Sequence, residues 1–171
     1  MKTVLLLRHA KSSWDRPLLD DFQRPLAPRG RKAAPRVGRY LGRAGLIPDR
    51  VLCSGAARAV ETWELVSEAL GADVPVEFQD EIYHASPRTL LEILRTLPGT
   101  VDSVLLIGHN PTFESLAHRL AGSGEEAALD AMDSKFPTAA LAILDFRVRR
   151  WEELEERGGF LREFVRPKDL A

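Results

Sequence analysis

The chain has 171 residues with 24 Lys and Arg against 25 Asp and Glu, a formal net charge of −1 at pH 7. This length fits one domain over residues 1–171 with a substantial core, and the balanced charge excludes a general attraction to nucleic acid or to an anionic membrane. The one cysteine, Cys53, excludes an internal disulfide, and no Cys/His spacing predicts a zinc site. The apolar run at residues 4–7 is too short for a signal peptide or a membrane span, so we expect a soluble, cytoplasmic protein.

Short apolar runs alternate with helical stretches along the whole chain. Strands are predicted at 3–7, 50–53, 74–78, 103–107, 139–146 and 159–165. Helices are predicted from Pro28 to about Gly45, from Ala56 to Leu70, from Pro87 through Leu97, and from Pro111 to about Ala121. Alternating strands and helices form parallel sheets covered by helices. The pattern therefore predicts the α/β class, as a three-layer α/β/α sandwich with a mostly parallel central sheet.

Proline and glycine mark the segments between these elements. Residues 10–28 contain three prolines and no helical periodicity, which predicts a long ordered loop. Pro35 lies inside the first predicted helix, where it would kink that helix or mark its true start. Residues 122–126, with the sequence GSGEE, predict an exposed, mobile loop.

Two of the predicted strands end at a histidine. The first strand is followed by Arg8 and His9, and the strand at 103–107 is followed by Gly108 and His109. In open α/β sheets, ligands bind beyond the carboxyl ends of the strands. If these two strands are neighbours, His9 and His109 face each other over one pocket with Arg8 beside them, an arrangement that suits a phosphoryl group.

His9 has two interpretations, a neutral histidine satisfied at a strand end or a nucleophile. An unprotonated imidazole nitrogen can attack phosphorus and hold the phosphoryl group covalently. Nearby cations disfavour the imidazolium form and so keep the nucleophile free. Arginines also bind phosphoryl oxygens through forked hydrogen bonds, so Arg8 and a second arginine would serve both purposes.

Arg58 is the best candidate for the second arginine. It lies where the strand at 50–53 turns into the helix that begins at Ala56, and a helix N-terminus also favours an anion. A surface arginine is the alternative, but a cation at this end opposes the helix dipole. For His109 the alternative is a structural histidine; beside Arg8, His9 and Arg58 it is better explained as a donor to the phosphoryl oxygens.

The chain resembles the histidine phosphatase superfamily, also called phosphoglycerate mutase-like. The family's Arg-His pair matches Arg8-His9-Ala10, its Ser-x-x-x-Arg-x-x-x-Thr pattern matches residues 54–62, and its Gly-His pair matches Gly108-His109. The resemblance spans residues 3 to about 167. Four segments, RHAKSSWD, DDFQRPLAPRG, GHNP and KFPTAAL, are most similar to the small SixA-type phosphohistidine phosphatases.

The resemblance implies a function and roles for these residues. His9 would accept the phosphoryl group, and Arg8, Arg58 and His109 would bind its oxygens without a metal or any cofactor. Water would then hydrolyse the intermediate. The substrate would be a phosphohistidine-bearing protein, a phosphotransfer domain or a phosphocarrier, or else a small phosphorylated molecule. Trp14-Asp15 departs from the Trp-Asn of the mutases, which argues against mutase activity.

The general acid is not settled by the sequence. Glu81 occupies the region where larger family members carry an acidic residue, with Asp80 and His84 as rivals and a solvated carboxylate as the alternative. Imidazole has a pKa of about 6.5 and leaves phosphorus readily once protonated, so a phosphatase without a strong acid would favour phosphohistidine. Ser12 is a further candidate to hydrogen-bond the phosphoryl group.

Three other functions are alternatives for this sequence. A small-molecule phosphomonoesterase on the same fold would need a working acid at Glu81 and a closed pocket. A non-catalytic phosphate-binding module would not need the nucleophile. A cysteine phosphatase is excluded, because four residues separate Cys53 from Arg58 where that motif requires five.

Overall fold

A computed structural model describes residues 1–170 and places seven strands in one sheet covered by five α-helices. The strands are β1 Lys2–Arg8, β2 Arg50–Ser54, β3 Val76–Gln79, β4 Ser103–Gly108, β5 Ala121–Gly124, β6 Leu141–Phe146 and β7 Gly159–Val165. The helices are α1 Pro28–Arg43, α2 Ala57–Leu70, α3 Pro87–Arg95, α4 Thr112–Leu120 and α5 Glu126–Ser134. Short 3₁₀ turns occur at Asp21–Gln23, Asp80–Ile82, Trp151–Glu153 and Pro167–Asp169.

The sheet has the strand order β3-β2-β4-β1-β6-β7-β5. Neighbouring strands run parallel except at β6, which is antiparallel to both β1 and β7. The predicted α/β fold with a mostly parallel sheet is therefore confirmed. β1 and β4 are adjacent, with Arg8 opposite Gly108 at their carboxyl ends.

Alternate residues of β1 enter two separate cores, one on each face of the sheet. Val4 and Leu6 pack on the face covered by α3, α4 and α5, whereas Leu5 and Leu7 pack on the face covered by α1 and α2. All four side chains are at most 1% exposed. Burial of one such side chain contributes about 1.5–3 kcal/mol, so strands buried on both faces hold the layers together.

Local signals account for several of the helix ends. α1 begins at Pro28 and continues through Pro35, so Pro35 does not mark its start. α2 ends at Leu70 and is followed by Gly71, whose φ of 70° is a left-handed conformation that glycine adopts without a steric penalty. α3 begins after Ser86, whose hydroxyl accepts a hydrogen bond from the Thr89 amide at 3.1 Å.

The prediction of a loop at residues 122–126 is wrong. Ala121–Gly124 is the edge strand β5, parallel to β7, and the unpredicted helix α5 follows from Glu126. A Cβ atom on Gly122 would lie 1.8 Å from the Arg157 carbonyl oxygen, so glycine here permits a close approach of two backbones. The glycines of this segment are also typical of turns, and for that reason the sequence predicted a loop. Only Ala128 and Met132 of α5 are buried, which is a weak apolar pattern.

No helix in residues 1–170 is long and apolar enough to cross a membrane.

Candidate active site

The pairing of β1 with β4 brings the two histidines together. The His9 amide donates to the Gly108 carbonyl oxygen at 2.9 Å, and the ring centroids of His9 and His109 are 5.2 Å apart. Both histidines are buried, at 6% and 8% exposure. The structure thus places them at one point on the carboxyl edge of the sheet.

His9 is held as a neutral ring with a defined tautomer. Its Nδ1 lies 2.7 Å from the Ala10 carbonyl oxygen, which can only accept, so Nδ1 carries the hydrogen and Nε2 keeps a free lone pair. Burial lowers the pKa of His9 to about 3, against the opposing effect of the Ala10 hydrogen bond. His109, Arg58 and Arg8 lower this pKa further. His9 is therefore unprotonated near neutral pH.

The backbone after His9 is tied to the start of α2. The Ala10 amide donates to the Thr62 hydroxyl at 3.0 Å, and the Thr62 hydroxyl donates to the Arg58 carbonyl oxygen at 2.7 Å. Thr62 and Ala10 are fully buried. The nucleophile candidate and the α2 arginine are thus connected through one hydroxyl.

Arg58 is buried at 6% exposure, which excludes the alternative of a surface arginine. Its Nη1 donates to the Asp21 carbonyl oxygen at 2.7 Å and its Nη2 to Asp21 Oδ2 at 3.0 Å. Arg8, at the end of β1, donates from Nη1 to the Phe136 carbonyl oxygen at 3.1 Å. Burial lowers the pKa of Arg8, while the charge of Glu114 acts in the opposite direction.

Asp21 is a site residue that the sequence reasoning missed. Its carboxylate accepts hydrogen bonds from Arg58, from Arg24 at 3.0 Å and from the Tyr83 hydroxyl. Tyr83 and then the two arginines hold the pKa of Asp21 well below its usual range, although partial burial acts against them. The segment DDFQRPLAPRG carried the family resemblance, but no property of an isolated Asp pointed to Arg58 as its partner.

His109 makes one hydrogen bond and leaves one nitrogen unpaired. Its Nε2 lies 2.8 Å from the Ser54 hydroxyl, and that hydroxyl accepts a hydrogen bond from the Ala56 amide at 3.2 Å. The Tyr83 ring meets His109 edge to face with centroids 5.3 Å apart. Burial, followed by the charge of Arg58, lowers the pKa of His109 to about 4.

Three buried nitrogens of this cluster have no hydrogen-bond partner among residues 1–170: Arg8 Nε, Arg58 Nε and His109 Nδ1. A buried polar group left unpaired costs about 1–3 kcal/mol, so three of them close together are costly unless a ligand satisfies them. A ligand with several acceptor atoms and negative charge fits two guanidinium groups and an imidazole. The arrangement is therefore suited to a tetrahedral oxyanion such as a phosphoryl group.

Ser12 and Glu81, two further residues that the sequence predicted for the site, have surroundings that differ from those of the histidine and arginine cluster. The Ser12 hydroxyl accepts from Arg24 Nη1 at 3.1 Å, within the loop that precedes α1. Glu81 is exposed in the 3₁₀ turn after β3, and its role stays a prediction.

The two rivals of Glu81 lie beside residues of the site. The Asp80 carboxylate covers Gly55, where an added Cβ atom would lie 1.9 Å from Asp80 Oδ1. The His84 ring is 4.2 Å from that of Tyr83, measured between centroids. Within the described residues, no group of three or more His, Cys, Asp or Glu side chains is arranged to hold a metal ion.

Comparisons with known proteins identify the family of this chain. The profile of the histidine phosphatase superfamily (branch 1) matches residues 4–85. A protein of unassigned function from Mycobacterium leprae is 35% identical over 166 residues, which cover 95% of this chain and 100% of the relative.

Solved structures extend the similarity over nearly the whole chain. A provisionally assigned phosphohistidine phosphatase SixA from Agrobacterium tumefaciens is 33% identical, with a TM-score of 0.82 over 97% of this chain and 98% of the other. The protein histidine phosphatase SixA solved with tungstate is 24% identical with a TM-score of 0.79, over 98% of both chains, and is similar in fold. The chain therefore belongs to the histidine phosphatase superfamily, and within it to the SixA type.

Proposed function

We propose that this chain, as one histidine-phosphatase domain, is a phosphohistidine protein phosphatase that acts through a covalent phosphohistidine on His9. The observation that carries the proposal is a neutral His9, with Nε2 free, in a cluster with three unpaired nitrogens on Arg8, Arg58 and His109. The similarity to proteins assigned as SixA supports the same substrate class. The active enzyme would need no metal or cofactor in this reaction.

In the first step, His9 Nε2 attacks the phosphorus atom of the substrate phosphohistidine. A new P–N bond forms while the bond to the substrate imidazole breaks, and that imidazole takes a proton as it leaves. In the second step, water attacks the phosphorus on His9, releases inorganic phosphate and returns His9 to its neutral form. His9 can make the first attack because its pKa of about 3 keeps Nε2 unprotonated near neutral pH.

Arg8, Arg58 and His109 would stabilise the transferring group electrostatically. The two guanidinium groups offer Nε hydrogens that have no other partner among the described residues. If the Ser54 hydroxyl donates to His109 Nε2, the hydrogen of His109 lies on Nδ1 and is free for a phosphoryl oxygen. Donors that are already in position lose little energy to reorganisation during the reaction.

The surroundings of Glu81 favour an imidazole leaving group over an alcohol. Glu81 is exposed in the 3₁₀ turn after β3, whereas an alcohol leaving group requires a proton donor held at its oxygen. A phosphohistidine substrate avoids this requirement because its imidazole leaves readily once it is protonated. Glu81, or Asp80 over Gly55, would supply that proton.

A small-molecule phosphomonoesterase is the second candidate. The observation that favours it is the position of Asp80, whose carboxylate lies against the turn between β2 and α2 that carries Arg58. An acid held at that point could protonate an ester oxygen.

The test is phosphate release from a phosphohistidine-loaded phosphotransfer domain and from p-nitrophenyl phosphate. We expect the wild type to favour the phosphoprotein, and His9→Ala to lower turnover at least about 10³-fold. Cys53→Ala is the control, because Cys53 is buried beside the site and burial raises the pKa of its thiol. Faster turnover of the ester would favour the phosphomonoesterase, and turnover that survives His9→Ala would contradict the mechanism.

A further inference from the structure

A basic cleft lies next to the phosphoryl site and is separate from it. The cleft encloses about 550 Å³ between α1, residues 134–138, the 3₁₀ turn at 167–169 and Lys11. None of the residues Arg8, His9, Arg58 and His109 lines it. Its wall at residues 134–138 is nevertheless joined to the site, because the Phe136 carbonyl accepts from Arg8 and the Ala139 amide donates to the His9 carbonyl at 3.0 Å.

The lining of the cleft is cationic from every side. α1 contributes Arg29, Lys32 and Arg36, one helical turn apart from each other. The loops add Lys11, Lys135 and Arg166, and the 3₁₀ turn at 167–169 adds Lys168. No aspartate or glutamate of residues 1–170 lines the cleft. Since the net charge of the chain is −1, this is a local concentration of positive charge.

The positive charge in the N-terminal part of α1 does not stabilise the helix itself. α1 has six basic residues and no acidic one, and Arg29 and Lys32 lie near its N-terminus, where the helix dipole disfavours cations. Within the described residues, Arg29, Lys32 and Arg36 form no ion pair, whereas Arg166 is paired with Asp169 at 2.9 Å. These α1 side chains are therefore available to an external anion.

Exposed apolar side chains on the adjacent loop favour a protein over a small anion. Trp14 is 67% exposed and Leu18 is 100% exposed, in the loop between β1 and α1 that also carries Lys11 and Asp21. Arg24 lies over the Trp14 ring, 3.4 Å from its centroid. Large apolar side chains, aromatic ones above all, are enriched in protein interfaces and serve no purpose in binding a small polyanion.

We infer that this cleft docks acidic side chains of the phosphohistidine-bearing substrate protein, so that its phosphorylated imidazole is presented to His9. The inference rests on the proposed function for the identity of the partner. Docking through opposite charges accelerates encounter and orients the partner, and both effects weaken as salt screens the charges.

The enzyme side of the contact is tested with Lys32→Glu/Arg36→Glu. Arg39→Glu/Arg43→Glu is the matched control, with the same charge change on exposed positions of the same helix outside the cleft. We measure kcat/KM for an acidic phosphotransfer domain divided by kcat/KM for p-nitrophenyl phosphate. This ratio should fall about tenfold in the cleft variant at low salt, lose that difference at high salt, and stay unchanged in the control. An equal fall in both variants would overturn the inference.

The partner side is tested with the same domain after its acidic residues near the phosphohistidine are replaced by Asn and Gln. This change should lower the wild-type ratio to a similar extent, and the cleft variant should then cause no further loss. If the losses caused by the cleft variant and by the altered domain instead multiply when the two are combined, the cleft and those acidic residues are not in direct contact.

A binding measurement separates docking from the proposed activity. Fluorescence anisotropy follows the unphosphorylated acidic domain on wild type, cleft variant and control, with inorganic tripolyphosphate as competitor. Salt-sensitive binding that only the cleft variant weakens supports docking, even if the wild type releases no phosphate and the proposed function fails. Absence of binding by the domain, or tight binding of tripolyphosphate alone, would overturn docking while leaving phosphatase activity to be judged by phosphate release.

Discussion

Asp21 and Tyr83 determine which nitrogen of Arg58 is left without a hydrogen-bond partner among the described residues. Asp21 engages both terminal nitrogens of Arg58, through its carboxylate and its carbonyl oxygen, so that Nε remains unpaired. Tyr83 donates to the same carboxylate, and its ring meets His109 edge to face. The Asp21 carboxylate therefore positions Arg58. Tyr83, which contacts His109, in turn positions that carboxylate.

Asp21→Asn should lower kcat/KM for p-nitrophenyl phosphate about tenfold, because a charge-assisted hydrogen bond of about 1.5–3 kcal/mol no longer orients Arg58. The control is Asp20→Asn at the exposed neighbouring residue. The Kd for inorganic phosphate, measured in parallel, should rise in Asp21→Asn and stay constant in Asp20→Asn. If both variants behave alike, Asp21 does not position Arg58.

At the scale of elements, the contact between α1 and α2 depends on one glycine. A Cβ atom on Gly38 of α1 would lie 2.3 Å from the Val66 carbonyl oxygen of α2, and backbone cannot move aside cheaply. One turn later, the same atom on Gly42 would lie 3.6 Å from the Leu70 carbonyl oxygen, an ordinary contact. Gly38 thus lets α1 and α2 approach closely, and α2 carries Arg58 into the site.

Gly38→Ala should reduce the free energy of unfolding by about 1–3 kcal/mol through overpacking. Gly42→Ala should raise it by about 0.5–1 kcal/mol, since alanine is the better residue in a helix. Urea unfolding of both variants measures the difference. Equal effects from the two substitutions would show that the helices do not meet at Gly38.

At the scale of the whole molecule, the buried histidines make stability depend on pH. The pKa values of about 3 for His9 and about 4 for His109 in the folded state lie below the ordinary value of 6.5. Between pH 6.5 and 4, the unfolded chain therefore binds protons that the folded protein does not bind. The stability that depends on these two histidines is fully present above pH 6.5 and is lost as pH falls, down to about 4 for His109 and about 3 for His9.

From pH 7 to pH 5, the free energy of unfolding should fall by about 2–4 kcal/mol, as two histidines protonate in the unfolded state only. Urea titrations at the two pH values give this difference directly. A His9→Asn/His109→Asn variant should lose much less stability over the same interval. An equal loss in this variant would assign the pH dependence to other groups.

Much of the fold and the centre of the site follow from local patterns. The apolar runs before His9 and His109 predict buried strands, and the alternation with helices predicts a mostly parallel sheet. The position of Arg58 at the start of α2 is equally local. These features can be predicted because each depends on residues that are adjacent in the chain. That β1 and β4 are neighbours in this sheet is only a condition at the level of the sequence, and the structure supplies it.

Other features exist only in the tertiary structure. The contacts of Asp21 with Arg58 and Tyr83 join residues 37 and 62 positions apart. The strand β5 forms from a glycine-rich segment because β7 supplies its hydrogen-bond partners, and the basic cleft collects cations from separate segments. The sequence alone determined which residues end the strands and begin the helices. Packing between distant segments decided which side chains meet there, because such contacts depend on strand register and helix approach rather than on local propensity.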